Sequence, residues 1–495
     1  MAPRDAAPPP RATSDTPFFR VFPPLMLPMF LGVVDQTIVA TALPAISADL
    51  GDVERISWVV ISYLIAATVA APVYGRLGDA LGRRNMMFVA LGVVAVSSLM
   101  CAASPTLSAL AFARVLQGLG GGGLMALAQS LIGEAVPPRE RARYQGYLAT
   151  VFVTSNAFGP LAGGYLTEAF GWRSIFLINI PVAVLAAWLV WRFLDARAPG
   201  GERFRFDFPG LGWFVLFIVP ALLGLERIQS AGTPFTPAVG ALVAVSLLSL
   251  ALLLRRERRA PHPLLPFALL RKPDIWRPDA LAACHGAALV SLITFVPIYL
   301  RVARGTAASE IGLLMLPIAV GIGAGSMATG WLVSRTGRTT LFPSLALIPV
   351  VGLLLLLAVF PLSLAGVAAT LAICAFLMGS VMGVVQVTVQ VAAGSAMLGA
   401  ATGSVAFARS VGAAFGTALA SMLLFASVAA IDAEAARHFA ALVEYGPAAL
   451  EGLAPEVRDT VMRAMGQGFG LVFTLIAGYV ACGCALAWTI PMKRL

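Results

Sequence analysis

Long apolar runs recur along the chain and constrain its fold more than any other feature of the sequence. A helix needs about 20 mostly apolar residues to cross a bilayer, and about fourteen such runs can be read here. Hydrophobic residues make up 59% of the chain and charged residues only 12%, whereas a soluble domain is about 25% charged. The chain is therefore predicted to be an all-α polytopic membrane protein. The predicted spans lie near residues 21–46, 56–76, 86–104, 107–131, 144–169, 173–194, 208–229, 236–254, 276–300, 309–334, 341–360, 364–390, 398–428 and 466–490.

The distribution of Lys and Arg predicts how the chain is oriented. With an even number of spans, both termini lie on the same side of the membrane. The termini and the loops on their side hold 24 of the 34 basic residues, and the opposite loops hold eight. Because cytoplasmic loops are enriched in Lys and Arg, both termini are predicted to be cytoplasmic.

Three further segments can be interpreted from composition. Residues 1–20 are rich in Pro and polar residues and are predicted to form a disordered cytoplasmic tail. The first apolar run is too long for a signal peptide and carries Pro28 and Asp35, so we expect it to be retained. The outer loop 431–465 contains two short amphipathic helical patterns, which predict a solvated cap at the interface.

Composition disfavours several other functions. The net charge is +10, but the basic residues form short clusters between apolar runs, so a nucleic-acid partner is not predicted. The five cysteines lie inside apolar segments, and the three histidines form no Cys/His cluster, so neither a disulfide framework nor a metal site is expected. Candidates for a nucleophile and a base are scattered. We expect no enzymatic activity, no catalytic residue and no cofactor.

Two loops of the chain resemble each other. "GRLGDALGRR" at 75–84 follows the second span, and "GWLVSRTGR" at 330–338 follows the tenth, with Gly, Leu, Gly and Arg at matching positions. The repeat predicts two six-helix halves, 21–200 and 261–495, separated by two extra spans in 201–260. Internal repeats of this kind are typical of secondary transporters, which bind substrate between the halves and alternate access to it.

The motif "GRLGDALGRRN" and this organisation resemble the major facilitator superfamily, specifically its fourteen-helix drug:proton antiporter branch of EmrB/QacA type. The resemblance implies a major facilitator fold with fourteen transmembrane helices in a bacterial inner membrane, driven by the proton gradient. In the family this loop is a conformational latch, a role carried here to Gly75, Asp79, Gly82, Arg83 and Arg84. The glycines let helix ends approach, while the acid can pair with the arginines. The alternative is a loop that only orients the chain.

The second motif is "RVLQGLGGGG", which places an arginine inside the fourth span. An arginine inside a membrane is costly and is rarely left unpaired. In the family this arginine belongs to the proton-relay network, and the resemblance carries that role to Arg114, with Gln117 as its hydrogen-bonding neighbour. The alternative is that Arg114 pairs with backbone carbonyls of an adjacent helix.

The third motif is "GYLATVFVTSNAFGPLAGGYL" in the fifth span. Gly159, Pro160, Gly163 and Gly164 match a signature that resembles antiporters and is generally missing from symporters. A proline kinks a helix and small residues allow a close helix contact, which can seal one access route. Generic small-residue packing is the alternative reading.

Asp35 in "LGVVDQTIVATALPAIS" lies near the middle of the first span. An ionised acid at the bilayer centre costs about 2.5–3.5 kcal/mol on insertion scales, so this side chain should not face lipid. Burial favours the neutral form of a carboxyl, which poises Asp35 to bind and release a proton. We read no Asp or Glu within the apolar cores of the ninth to fourteenth spans, which disfavours recognition of multivalent cations. The alternative role for Asp35 is a structural hydrogen bond.

The substrate cavity is expected between the halves, where polar and aromatic side chains can face inward. An apolar pocket with few polar groups suits amphipathic, drug-sized molecules. For each candidate, core packing is the competing interpretation. The candidates are Gln117, Gln129, Asn156, Phe158, His285, Phe295, Tyr299, Gln386 and Gln390.

These features together predict a proton-coupled exporter of hydrophobic, cationic or amphipathic compounds, embedded in the bilayer. An exporter of an endogenous metabolite or siderophore using the same machinery is the alternative. The resemblance to the EmrB side of the family makes a periplasmic adaptor possible, although no residue demonstrates one. The roles of Arg409 in the thirteenth span and of Glu226 stay open.

The predicted topology can be tested by cysteine labelling from the two sides of the membrane. With the five native cysteines replaced by alanine, we expect Ala436→Cys in the loop 431–465 to react with a membrane-impermeant maleimide added outside intact cells. The matched control is Ala260→Cys, which should react only after the cells are opened. Labelling of Ala436→Cys from the cytoplasmic side alone would contradict the topology.

Overall fold

The computed structural model describes residues 18–51, 55–195, 206–231, 236–260, 270–306, 308–431 and 455–494. Within them the chain forms fourteen long helices, numbered here in chain order, and each overlaps one of the predicted apolar runs. The helices are α1 Phe18–Leu50, α2 Trp58–Leu81, α3 Arg83–Ala102, α4 Leu107–Ala135, α5 Pro138–Phe170, α6 Ser174–Phe193 with a break at Ile178, α7 Phe208–Ala231, α8 Pro237–Glu257, α9 Pro273–Val302, α10 Ala308–Thr336, α11 Leu341–Val359, α12 Leu364–Ala393, α13 Leu398–Ile431 and α14 Pro455–Thr489.

Twelve helices of the described chain are long and apolar enough to cross a membrane. The other two are α5, which opens with the charged sequence "PRERAR", and α7, whose apolar part is the shorter segment Phe208–Gly224. An all-helical membrane protein with twelve candidate spans is therefore confirmed. Fourteen transmembrane helices remain a prediction.

The ends of two predicted segments differ from the structure. α1 begins at Phe18, inside the predicted tail 1–20, and residues 1–17 lie outside the described chain. α14 begins at Pro455, so the second amphipathic pattern of the loop 431–465 forms the start of the last helix. An amphipathic pattern and an apolar run can share one continuous helix, because hydropathy alone does not mark where a helix begins. Residues 432–454 lie outside the described chain.

The helices bury two separate sets of apolar cores. Side chains of α1–α6 form two clusters, one around Met87 and Leu124 and the other around Ile38 and Phe176. Side chains of α9–α14 form a third, centred on α9, α12 and α14. α7 packs on α8 and reaches α13 through its aromatic side chains. We call α1–α6 the N-terminal half and α9–α14 the C-terminal half.

The two halves meet through α2 against α13 and α5 against α10. A Cβ atom at Gly75 would collide with the carbonyl of Gly399, and one at Gly330 with that of Ala142. Both contacts lie where α2 and α10 end and where α5 and α13 begin. The halves are therefore in backbone contact at this end of the bundle, which also contains the repeated loops 75–84 and 330–338.

Within the N-terminal half, the glycines of "GLGGGG" bring α4 against α2. A Cβ at Gly122 would overlap the backbone of Ala67, and one at Gly118 would overlap the carbonyl of Tyr63. Since TM helices have no apolar driving force for association within lipid, such close backbone approach is a main source of their packing energy.

We expect Gly122→Ala to destabilise the protein by about 1–3 kcal/mol, the usual penalty for overpacking a core. Gly92→Ala is the matched control, since nothing lies within 4 Å of its added methyl group on α3. The measurement is the thermal unfolding midpoint of the purified protein in one detergent. Equal midpoints for the two variants would show that the α2–α4 contact is not tight.

Candidate functional site

Asp35 lies at the centre of a buried polar cluster in the N-terminal half. Its side chain is 2% exposed. One carboxylate oxygen, Oδ2, accepts a hydrogen bond from Arg114 Nη1 at 2.5 Å. The other, Oδ1, accepts from Gln117 Nε2 at 2.8 Å and from Asn179 Nδ2 at 2.7 Å. Three donors from α4 and α6 therefore surround a single acid of α1.

Arg114 is fully buried and is held by more than its ion pair. Its Nε donates to the carbonyl of Val59 at 3.0 Å, and Nη1 also donates to Gln117 Oε1 at 2.7 Å. The guanidinium lies 4.2 Å from the centre of the Tyr63 ring, a distance suited to a cation–π contact. Arg114 thus contacts both its predicted neighbour Gln117 and a backbone carbonyl of an adjacent helix, and its role in a proton relay stays a prediction.

The cluster changes the electrostatic argument for Asp35. Burial alone favours a neutral carboxyl, but a guanidinium and two amide donors favour the carboxylate. In this conformation Asp35 is satisfied as an anion. A proton on this carboxylate would replace the ion pair with a neutral acid, and Arg114 would keep Val59, Gln117 and Tyr63 as partners.

Sequence reasoning missed two members of the cluster. Asn179 lies on α6 and donates to Asp35, and Ser98 on α3 accepts from both Gln117 and Asn179 at 2.8 and 3.2 Å. A polar amide within the apolar run 173–194 was the available signal for Asn179. Ser98 carries no signal in the sequence, because serine is common in apolar helices.

Asp79 joins the two halves at the end where they touch. Its Oδ1 accepts from the amide of Gly399 at 2.9 Å and its Oδ2 from the amide of Ala400 at 3.0 Å. These amides open α13, where unsatisfied N–H groups and the helix dipole attract an anion. Arg83 donates to Asp79 at 2.5 Å and also pairs with Glu134. We call Asp79, Arg83 and the amides of Gly399 and Ala400 the lock.

The other predicted latch residues have distinct roles. Arg84 donates to the carbonyl of Trp191 at 3.0 Å rather than to Asp79. Gly82 has φ = 92° between α2 and α3, a left-handed conformation that favours glycine. At the corresponding place in the second loop, Ser334 donates to Trp331 within its own helix. Within the described residues, the acid-based lock is therefore confined to the first copy of the repeat.

The antiporter signature lies where α5 packs against α1. A Cβ at Gly159 would overlap Thr37 Oγ1, and one at Gly163 would overlap Thr41 and Ile38. Nothing lies within 4 Å of an added Cβ at Gly164. Pro160 is inside the helix. Two of the four residues therefore create the close α1–α5 contact beside Asp35.

A small polar cavity lies between the halves. It has a volume of about 20 Å³, which is room for one or two water molecules. It is lined by Gln129 and Gln145 of the N-terminal half and by His285, Gln386 and Arg409 of the other. Arg409 is half-buried there, and the structure thus places it at the cavity rather than at an interface with water.

The remaining cavity candidates are distributed over different environments. Gln390 is buried and donates to the carbonyl of Gln129 across the halves at 3.0 Å. Phe158 is 51% exposed and lies 6.0 Å from the Phe30 ring. Phe295 is in the apolar core of the C-terminal half. Tyr299 packs between Phe469 and Phe473 and lines a cavity of about 530 Å³ within that half. The side chain of Asn156 lies outside the described part of the chain.

Asp279 corrects one sequence-based statement. We read no acid within the apolar cores of the ninth to fourteenth spans, yet Asp279 of α9 is 6% exposed. Its place in "KPDIWRPDAL" resembles a loop end because Pro and charged residues precede it. Neighbouring helices extend past this point and bury the second turn of α9. Among the described residues, no group of three or more His, Cys, Asp or Glu side chains is arranged to hold a metal ion.

Two groups of six helices in backbone contact at one end, with polar side chains between them, form an arrangement that is typical of secondary transporters. The sequence agrees with this class. The chain belongs to the Major Facilitator Superfamily, whose family model matches residues 25–417. Members of this superfamily are transporters rather than enzymes.

Individual relatives are similar over most of this chain. An uncharacterized MFS-type transporter of Mycobacterium tuberculosis is 36% identical over 414 residues, which cover 80% of this chain and 58% of the relative. The chain thus spans little more than half the length of that protein. The multidrug transporter protein MdtP of Bacillus subtilis is 30% identical over 394 residues, covering 79% of this chain and 72% of the relative. The crystal structure of the human organic anion transporter MFSD10 has the same fold, with a TM-score of 0.65 at 15% identity, covering 96% of this chain and 100% of that one.

We expect Asp79→Asn to loosen the lock. Losing the charge weakens two amide contacts and one arginine pair, and a loss of about 1.4 kcal/mol raises the open population at this end about 10-fold. The open population can be measured by pulsed electron paramagnetic resonance, as the distance between spin labels attached at Leu81 in the N-terminal half and Trp331 in the C-terminal half. Ser334→Ala is the matched control, because Ser334 bonds only within its own helix. Unchanged distances for Asp79→Asn would rule out the lock.

Proposed function

We propose that this protein is a proton-driven efflux antiporter that exports hydrophobic, cationic or amphipathic compounds across a bacterial inner membrane. The observation that carries the proposal is the buried Asp35–Arg114 pair with its surrounding amides. Intramembrane ionisable residues mark ion or proton pathways by default. Relatives named a multidrug transporter protein and an efflux pump support efflux as the direction of transport.

Proton exchange at Asp35 follows from its partners. When a proton neutralises the carboxylate, the attraction to Arg114 is lost, but Arg114 retains Val59 and Gln117. These neutral acceptors and the Tyr63 ring replace part of the lost attraction, so the buried guanidinium is not left without any partner, a state that is strongly unfavourable. Protonation therefore changes the contacts that α4 and α6 make with α1 without unfolding the half.

The α1–α5 contact can carry this change to the interface between halves. Asp35 is two residues from Thr37, whose hydroxyl lies against Gly159 and 3.4 Å from the carbonyl of Ser155. α5 in turn packs on α10 of the other half. A shift of α1 therefore moves the surface on which the halves rock. This is a physical route for proton binding to bias alternating access.

The distribution of basic residues predicts on which side of the membrane the lock lies. With both termini cytoplasmic, the lock lies at the cytoplasmic face, and the described conformation is closed on that side. A proton taken from outside would be released inside after the lock opens. The proton gradient then supplies the energy, and no cofactor takes part in the cycle.

The cavity favours one part of the proposed substrate range. Amide side chains from both halves surround it, and Arg409 is the charged side chain in its lining. Since a guanidinium repels cations, a substrate site formed from this lining when the halves separate would favour amphipathic compounds with hydrogen-bond acceptors over permanent cations. Export of an endogenous metabolite or siderophore uses the same machinery and is the alternative substrate class. Dependence on a periplasmic adaptor, like the fourteen-span count of the EmrB/QacA branch, belongs to the proposal.

The role of Asp35 is tested in proteoliposomes with an imposed pH gradient. We expect candidate amphipathic compounds to release protons from vesicles containing the wild-type protein, and Asp35→Asn to abolish that release. Asp49→Asn is the matched control on the same helix, since Asp49 pairs with Arg173 at the exposed end of α1. Undiminished proton-coupled export by Asp35→Asn would refute the role of this residue. Substrate accumulation with inward proton flow would identify a symporter instead.

A further inference from the structure

Asp279 is a buried acid without a partner in the C-terminal half. It lies in the second turn of α9 and is 6% exposed. Both carboxyl oxygens are buried, and neither has a hydrogen-bond partner among the described residues. Asp35 and Asp79, in contrast, each accept three hydrogen bonds. Asp279 is therefore the acid that this conformation does not satisfy as an anion.

The helices packed against α9 bring no countercharge to Asp279 within the described chain. α12 contains no Asp, Glu, Lys, Arg or His. The single charged residue of α13, Arg409, lies against Gly286, about 10 Å further along α9 at 1.5 Å per residue. The charged residues of α10 and α14 lie towards the ends of those helices and are Glu310, Arg335, Glu456, Arg458, Asp459 and Arg463.

The groups nearest in sequence are engaged elsewhere. On α9, Asp274 accepts from the amide of Met492 at 2.8 Å, and Arg277 donates to the carbonyl of Thr489. His285 is hydrogen-bonded to the carbonyl of Met378 at 3.1 Å. The Ser404 hydroxyl of α13 is close to Asp279, but it donates to the carbonyl of Ala401 at 2.9 Å. Among the described residues, none of these groups donates a hydrogen bond to Asp279.

A carboxylate removed from water without donors or a cation is so unfavourable that the group takes up a proton instead. We propose that Asp279 is a proton-binding site of the C-terminal half, protonated while the halves are closed at the lock and deprotonated when that end opens. The ligand is the proton itself, which converts the carboxylate to a neutral acid. The proposal that Asp279 binds a proton is argued from its burial. The proposal that this proton takes part in transport rests on the proposed antiport function.

The placement of Asp279 couples its proton to the lock. Ser404, beside Asp279, follows Ala400 by four residues, so one turn of α13 separates the acid from the amides that hold Asp79. When Asp79 releases these amides, the start of α13 is freed from α2, and water can reach the α9–α13 contact. In the closed conformation the Asp279 carboxylate has no access to water, which would stabilise its charge. Opening therefore favours proton release on the side that the lock had sealed.

Arg409 is a cation with which the deprotonated Asp279 carboxylate can pair after opening. It has no carboxylate partner within the described residues and follows Ser404 by five residues, about 7.5 Å along α13. A rotation of α13 that brings the two charges together would also withdraw the guanidinium from the cavity. Proton occupancy at Asp279 would then control whether Arg409 is available to a substrate. The transporter would have one proton-binding carboxyl in each half.

Infrared spectroscopy of the purified full-length protein in nanodiscs tests the site directly, because a protonated carboxylic acid has a carbonyl stretch that a carboxylate lacks. At neutral pH we expect this band in the wild type and in Asp35→Asn, and its loss in Asp279→Asn. Ser404→Ala should keep it. A wild type without the band, or a band unchanged in Asp279→Asn, would overturn the proposal. The readout requires no transport, so it is independent of whether antiport occurs.

Stability provides a second readout that does not depend on the same variant. Asp279→Leu removes the acid, and if Asp279 is neutral we expect the thermal unfolding midpoint at pH 7 to equal or exceed that of the wild type. Asp79→Leu is the matched control, since it removes an acid that has partners. A decrease in the midpoint for Asp279→Leu as large as that for Asp79→Leu would mean that Asp279 is an anion with a partner. In proteoliposomes, we expect Asp279→Asn to shift the pH dependence of export. An unchanged pH profile would remove Asp279 from the coupling.

Discussion

A charge inside this bundle is stable only where donors or an opposite charge replace the water it has lost, and Asp35, Asp79 and Asp279 meet that requirement differently. Asp35 has a guanidinium and two amides. Asp79 has an arginine and the first amides of α13. Asp279 has no partner among the described residues. These differences determine which carboxylates have hydrogen-bond partners in this conformation and which contacts would have to break for the halves to separate.

Glycine residues make the contacts of Asp79 with the first amides of α13 possible. Gly75 and Gly399 let the backbones of α2 and α13 approach so closely that either Cβ would collide with the facing carbonyl. At that separation a short aspartate side chain reaches the α13 amides. The same approach between α4 and α2 holds Arg114 against the carbonyl of Val59. The glycine motifs therefore shorten the distance between helix backbones, and each close approach allows a specific polar contact to form.

The proposed transport cycle joins the two halves through these contacts. Asp35 lies beside the α1–α5 contact, and α5 packs on the opposite half, while Asp79 fastens α2 to α13. The proposed proton sites and the lock are thus connected by packed helices, and the proposed cycle requires that these helices also adopt an open arrangement. Coupling of this type needs only that a proton binds the two arrangements with different affinity.

The sequence by itself determined the helical class, the positions of the helices and the motifs of the N-terminal half. Lengths of apolar sequence and fixed glycine–acid–base spacings are local, and the membrane requires every spanning segment to satisfy its own backbone. Only the tertiary structure decided which side chains share a site. Asn179 and Ser98 joined Asp35, Arg83 rather than Arg84 joined Asp79, and Phe295 went to a core rather than the cavity. It also buried Asp279, because burial depends on how far neighbouring helices extend, and one helix's sequence contains no record of that.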